Sequence, residues 1–451
     1  MHAAGVATDT YAKIAPPASQ IGSNTMYLKG GFFACLAASM LARSAAAVTP
    51  EVSQIIADQR FKAAAAELDA ERDRINDETI RLTQIPAPPF KEGERARTYA
   101  EMMRQSGLRE VTIDGVGNVI GVRSGWQNDL PVLVVSAHLD TVFPEGKPVT
   151  VRREGTRLLA PGVGDDSRSL AVLLGFVRAM DKAGIGTRRD IVFVGNVGEE
   201  GLGDLRGIRY LFEHDPRAKQ AAAYITLDSA GTQDITTIGV GSRRYRLSFS
   251  GPGGHSYDAF GIVNPMVPLA KVVTWLYSLQ VPASPKTTYS ASVVGGGVSV
   301  NAIPSKVFLE VDLRSADAAE LAKLDSQLHA IVDHAVTEEN HIRDTSKGSI
   351  SLSYENIGDR PAGHTDEKSP LASGAADAIR AFGYTPKFIA MSCDVNIPMS
   401  LGIPAIGIGS GASGGREHSP DEYIDVAEPD NVRGMSVGLT TVLIAAGGIS
   451  K

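Results

Sequence analysis

Five short stretches of this sequence carry side chains able to hold cations or move protons. They are SAHLD with His138 and Asp140, PGVGDDS with Asp165 and Asp166, NVGEEGLGD with Glu199 and Glu200, LDS with Asp228, and REHSPDEYIDV with His418. Singly, each has an ordinary structural role: His-x-Asp as a solvated turn, paired aspartates as a helix cap, paired glutamates as surface charge. Their spacing relative to apolar runs says more. His138 and Asp140 follow VLVV at 132–135, the glutamates follow IVFV at 191–194, Asp228 follows AYITL at 223–227, and His418 lies in the glycine-rich loop after AIGIG at 405–409. In an open α/β sheet the ligand crevice lies beyond the carboxyl ends of the strands. Four strand exits therefore deliver two imidazoles and four carboxylates to one region, and Asp165 and Asp166, just ahead of a helical stretch, join them. Crowding carboxylates together costs free energy through repulsion and desolvation, so such a cluster calls for cations. Imidazoles with carboxylates and no thiolate suit zinc, with cobalt or manganese as alternatives.

The elements that must position these residues alternate in type. After helices between Thr49 and Ile85, ended by IPAPP, short apolar runs alternate with helical spacings over 168–182, closed by Gly184, and over 204–213. This predicts an α/β fold, a mostly parallel sheet flanked by helices. Between Ser242 and Ile357 the rhythm changes to β-α-β-β-α-β: a strand at YRLSFS, a helix over 264–279, strands near 288–294 and 306–313, a helix over 317–337, and a strand at SISLSY. That order describes a small α+β, ferredoxin-like domain inserted into the first. The α/β pattern resumes with a helix over 369–382 and the AIGIG strand. The expected organisation is thus an N-terminal extension at 1–47, a catalytic domain at 48–241 and 358–451, and the insert at 242–357.

Composition narrows the function. The chain has 451 residues, 43% of them hydrophobic, enough for two or three cored domains. Its net charge of −7 and the lack of a long basic block argue against nucleic acid as a partner. Two cysteines, Cys35 and Cys393, are too few for a disulfide framework or a cysteine-zinc cluster. Cys393 reads as a small buried residue. The glycine-rich GVGDDS and GSGASGG fit neither a dinucleotide fingerprint nor a P-loop, which argues against a nucleotide-binding protein. From Met26, a lysine, an apolar stretch and a small-residue end at Ala47 read as a secretory signal, with export to periplasm or medium expected, or the cytoplasm if the segment is an ordinary tail. After signal removal no run is long enough for a membrane span.

Taken in order, HLDT, the Gly-Asp-Asp-Ser segment, GEEGLGDLRG, LDS, GPGGHS and REHSPDEYIDV resemble the dinuclear zinc metallopeptidase family that includes peptidase T, carboxypeptidase G and acetylornithine deacetylase. The resemblance runs from about Ile75 to the C-terminus, with the insert in the family's place. It implies a zinc-exopeptidase-like catalytic domain, a dimerisation or lid insert, and two Zn2+ per chain, with Co2+ or Mn2+ as alternatives. It implies that His138 and Asp228 hold one metal, that Glu200 and His418 hold the other, that Asp165 bridges them, and that Glu199 is the catalytic base. The peptide bond after Asp165 is commonly cis in the family. Asp140 is placed to orient His138 through the second ring nitrogen.

The same resemblance implies a homodimer whose insert brings His255, in GPGGHS, to the partner's site as an oxyanion donor, with Asn301 and Arg314 meeting substrate. Ser167 stands where many members carry lysine. Aspartate at position 228 and the Gly-Leu-Gly-Asp run favour the peptidase T-like side, hence an aminopeptidase or dipeptidase acting on small peptides. The alternatives are an N-acyl amino acid deacylase with the same chemistry and a non-catalytic binding protein on the same scaffold. His214, His329, His334, His341 and His364 lack matching partners and read as surface or structural residues.

Overall fold

Four apolar segments, Leu133–His138, Ile191–Asn196, Ala223–Leu227 and Ala405–Ile408, form adjacent strands at the centre of a nine-stranded sheet in the computed structural model, which describes residues 48–427 and 429–450. The expected secretory signal and Cys35 lie outside the described residues. Every residue of these four strands is buried, as continuous apolar runs covered on both faces require. Leu133 pairs in parallel with Ile191 on one side and Ala223 on the other, and Ala405 pairs in parallel with Tyr224. All four strands therefore end on one edge of the sheet. Antiparallel strands flank this parallel centre: Arg109–Ile113 and Val119–Arg123 on one side, Asp234–Gly239 on the other.

The period of two along each strand separates two helix layers. Leu133 and Val135 join a core with the helices Gln59–Ala70, Arg72–Thr83, Ser169–Lys182 and Asp430–Ala445, while Val132 and Val134 pack with Leu205, Ile208 and Phe212 on the opposite face. The helix Ser169–Lys182 stops as the sequence predicts: Gly184 adopts φ +63°, where only glycine is unstrained, and the Ile185 N–H bonds the Met180 carbonyl at 2.9 Å. Pro370 opens the helix Pro370–Ala381, and the Ser369 hydroxyl accepts the Ala372 N–H. Among the described residues no helix is long and apolar enough to cross a membrane.

The chain leaves this sheet after Asp234–Gly239 and builds a second, antiparallel one. Its strands are Thr287–Gly296, Lys306–Ser315, Gly241–Ser250 and Ser351–Arg360, in that spatial order. Helices Met266–Leu276 and Ala318–Ile342 cover one face, burying Leu247, Phe249, Leu309 and Leu313 against Val272, Leu324 and Leu328. The β-α-β-β-α-β order matches the sequence expectation. The second helix runs five residues beyond the predicted 337, to Ile342, and is opened by Asp317, whose carboxylate accepts the N–H groups of Ala319 and Glu320. Chain re-entry is sealed by Gly363 pairing with Gly239.

Candidate metal centre and active site

The parallel strand ends converge on Asp165. This residue lies in the turn Val163–Arg168, entered through Gly162 at φ +73° and leading directly into the helix Ser169–Lys182. The Asp165–Asp166 bond is cis, as the resemblance implies. Three N–H groups of the turn, those of Gly162, Gly164 and Asp165, donate to the Glu422 carboxylate at 3.0, 2.8 and 3.0 Å. Glu422 is a cradle that the sequence reading missed, although it stands four residues after His418 in the same motif.

One Asp165 oxygen lies 2.8 Å from His138 Nε2 and the other lies 3.0 Å from His418 Nε2, which in turn is 3.1 Å from Glu200 Oε1. Ligand atoms of His138, Asp165 and Asp228 fall within 4.8 Å of one another, and so do those of Asp165, Glu200 and His418. Asp165 belongs to both groups. Donors about 2.0–2.2 Å from a tetrahedral zinc sit roughly 3.4 Å apart, so the donor set and its spacing fit divalent cations. A third group of the same span joins Glu199 to His138 and Glu200.

Asp140 meets the second ring nitrogen of His138 through its main chain rather than its carboxylate. His138 Nδ1 faces the main-chain carbonyl of Asp140 at 3.0 Å, whereas the nearer carboxylate oxygen stands 3.7 Å away. That carboxylate instead accepts the N–H groups of Glu199 at 3.0 Å and Glu200 at 2.8 Å. Two buried backbone donors in a tight turn need acceptors, and Asp140 supplies both, leaving the ring to its own carbonyl. Asp166 fastens the other side of His138 by accepting its N–H at 2.9 Å.

Electrostatics mark the site as short of positive charge. Burial, then the neighbouring Asp165, pushes Asp228 well above the usual carboxylate range. Burial also lifts Glu200 to about 7. For Asp165, burial is outweighed by hydrogen bonds from His138 and His418, which hold it below its ordinary value. Hydrogen bonds to Asp165 and Glu200 raise His418 to about 11. Protons are retained on groups that a cation would otherwise neutralise.

The cluster opens into a cavity of about 340 Å³ lined by Asp165, Glu200, Asp228 and His418, by Glu199 and by three arginines, Arg244, Arg314 and Arg360. Arg314, expected from sequence, and Arg244, missed by it, come from neighbouring strands of the inserted sheet and share Asp312 at 2.7 and 3.0 Å. Cys393 lines the cavity too, but burial pushes its thiol well up, which agrees with a non-nucleophilic residue. His255 and Asn301 lie elsewhere. His255 belongs to a short ribbon in which Gly254–His255 pairs with Ala302–Ile303, Asn301 immediately precedes its second strand, and neither residue lines the cavity. His255 Nδ1 is 3.4 Å from Asp258, and Asn301 accepts the Ser299 hydroxyl at 2.6 Å.

Solved structures share this architecture. Aminopeptidase PepT from Bacillus cereus matches with a TM-score of 0.66 at 19% identity, covering 83% of this chain and 98% of that one. A tripeptidase from Staphylococcus aureus gives 0.68 at 20% identity over 83% and 98% of the two chains. A dinuclear metal binding peptidase of family M20 from Bacillus subtilis, YxeP, gives 0.61 at 14% identity over 84% and 98%. No curated protein is detectably similar in sequence. Residues 134–443, well over half of the chain, match the family described as peptidase family M20/M25/M40, and they contain every metal-binding candidate named above. The chain belongs to peptidase family M20/M25/M40.

Proposed function

We propose that this protein is a di-zinc hydrolase that cleaves a terminal peptide bond of small peptides, as an aminopeptidase or dipeptidase. The observation that carries the reading is the pair of ligand groups sharing Asp165, with Glu199 beside them. His138 and Asp228 would hold one ion, Glu200 and His418 the other, and Asp165 both. Bound there, two divalent cations supply Lewis acidity, polarising the scissile carbonyl and acidifying the attacking water. Glu199 accepts the proton of that water and returns it to the departing amine, a role usually worth about 10²- to 10⁴-fold in rate. Arg244 and Arg314 present guanidinium groups at the cavity wall, suited to a substrate carboxylate. The B. cereus aminopeptidase and the S. aureus tripeptidase support peptides as the substrate class, and a family match to peptidases supports the reaction type.

The test is direct. Elemental analysis should find close to two divalent ions per chain, and chelation should abolish hydrolysis of di- and tripeptides. N-acetyl and N-succinyl amino acids, assayed in parallel, should be poorer substrates. Full activity without metal would sink the mechanism, and preference for the N-acyl compounds would move the assignment to a deacylase.

A further inference from the structure

Glu199 has one ion-pair partner among the described residues, and it comes from the inserted sheet. Arg360 is the last residue of the strand Ser351–Arg360, on which the chain leaves the insert, and it pairs in register with Ser242 near the start of the entering strand Gly241–Ser250. Its guanidinium is buried. Nη1 donates to Glu199 Oε1 at 3.0 Å and to the Ser392 carbonyl at 3.0 Å, and Nη2 donates to the main-chain carbonyl of Glu199 itself. The preceding residue reinforces the junction. The Asp359 N–H donates to the Asp204 carboxylate at 3.0 Å, and Arg209 donates to the Asp359 carbonyl at 2.8 Å. The exit strand of the insert is thereby stitched to the loop that carries Glu199 and Glu200.

We propose that Arg360 is a positioning residue for the general base, fixing the Glu199 carboxylate beside the ligand cluster and tying its placement to the seating of the inserted sheet. The proposal rests on Glu199 being the base. A planar fork that grips both the side-chain oxygen and the main-chain oxygen of one residue closes a ring and confines that side chain to one arrangement. An ammonium group lacks the fork and cannot reproduce the grip. Arg360 touches neither substrate nor cation in this role. Its effect passes through Glu199.

Two variants, Arg360→Met and Arg360→Lys, test it, with folding checked by thermal melts and metal content by elemental analysis. Both should keep the wild-type metal content. With a dipeptide, kcat should fall about 10²-fold, the scale of an ångström-sized misplacement, while KM changes less than about threefold. In a Glu199→Gln background, adding Arg360→Met should cost nothing further. A crystal structure of whichever Arg360 variant folds should show the Glu199 side chain displaced or without a single conformation, with His138, Asp165 and Asp228 unmoved. An additive double variant, or an undisturbed Glu199 rotamer, overturns the proposal. If Glu199→Gln alone keeps wild-type turnover, the base assignment fails, whereas the rotamer result still judges the grip.

Discussion

Asp140 accepts the Glu200 N–H at 2.8 Å, so the aspartate after the first metal-binding strand shapes the turn after the second. Replacing it with alanine strands two buried N–H groups and frees the turn that presents Glu199 and Glu200. Asp140→Ala should weaken metal binding about 10- to 100-fold. Asp140→Asn, which keeps one acceptor oxygen, should be milder. Calorimetric titration of the stripped protein with zinc measures both, and equal wild-type affinity in the two variants would remove Asp140 from the site.

Neighbouring glutamates should separate cleanly in their effects. Glu199→Gln should retain both metals and lose several orders of magnitude in turnover, because only a proton acceptor is removed. His418→Ala should lose metal, because a donor within 3.1 Å of Glu200 and 3.0 Å of Asp165 is gone. Equal metal loss in the two variants would mean that Glu199 and Glu200 are misassigned, with Glu199 a metal ligand rather than the base.

The Glu422 cradle predicts a stability defect coupled to metal. Glu422→Ala leaves three backbone donors of the Gly162–Asp165 turn without their acceptor. At about 1–3 kcal/mol for an unsatisfied buried group, denaturant unfolding should register a loss of at least about 2 kcal/mol, with weaker metal retention. Glu422→Gln, with one oxygen left, should recover part of both. A variant as stable as wild type would show that water replaces the cradle.

Stability of the chelated protein should fall as pH rises from about 6 to about 9. Burial lifts Glu422 to about 7 from 4.5, and Asp394 to about 8 from 3.8. A carboxyl raised in the fold contributes stability that is complete below its unfolded pKa and lost as pH climbs through the folded one. His418, raised to about 11 from 6.5 by hydrogen bonds to Asp165 and Glu200, acts in the same direction above neutrality. Bound cations would replace the protons held by His418, Glu200 and Asp228, so the melting temperature of the zinc-loaded protein should stay flatter over the same interval. Scanning calorimetry with and without chelator decides it, and a chelated melting temperature that rises with pH contradicts the assignment.

His255 provides a test of assembly, because it is exposed and does not line its own chain's cavity. If a second copy supplies it, His255→Ala and Glu199→Gln, each inactive alone, should complement when subunits exchange. Random mixing makes about half the dimers mixed, each with one competent site, so activity should approach roughly a quarter of wild type. Exchange confirmed by mass labelling without recovered activity would confine His255 to its own chain.

The catalytic candidates were legible because metal-binding side chains follow uninterrupted apolar runs, and such runs have one reading in a parallel sheet. VLVV, IVFV, AYITL and AIGIG became the four central strands, and their exits hold His138, Glu199, Glu200, Asp228 and, after a loop, His418. The insert was legible from its change of rhythm. Less so were the flanking strands Arg109–Ile113 and Lys387–Met391, where charged or exposed residues interrupt the alternation that marks a strand. Helix Asp430–Ala445, rich in glycine and threonine, hides its helical period in weak formers.

Sequence alone determined which residue types meet at the strand ends, since local hydrophobicity sets strand and helix, and the parallel order sets a common edge. Only the tertiary structure decided how those residues are held. The Glu422 cradle spans 257 to 260 residues and the Arg360 grip on Glu199 spans 161. The Asp140 carboxylate serves the backbone of a loop 59 residues away, while its carbonyl meets His138. Contacts of that range leave no periodic trace, because they are chosen by which buried N–H or carboxylate lacks a partner after the sheet has formed.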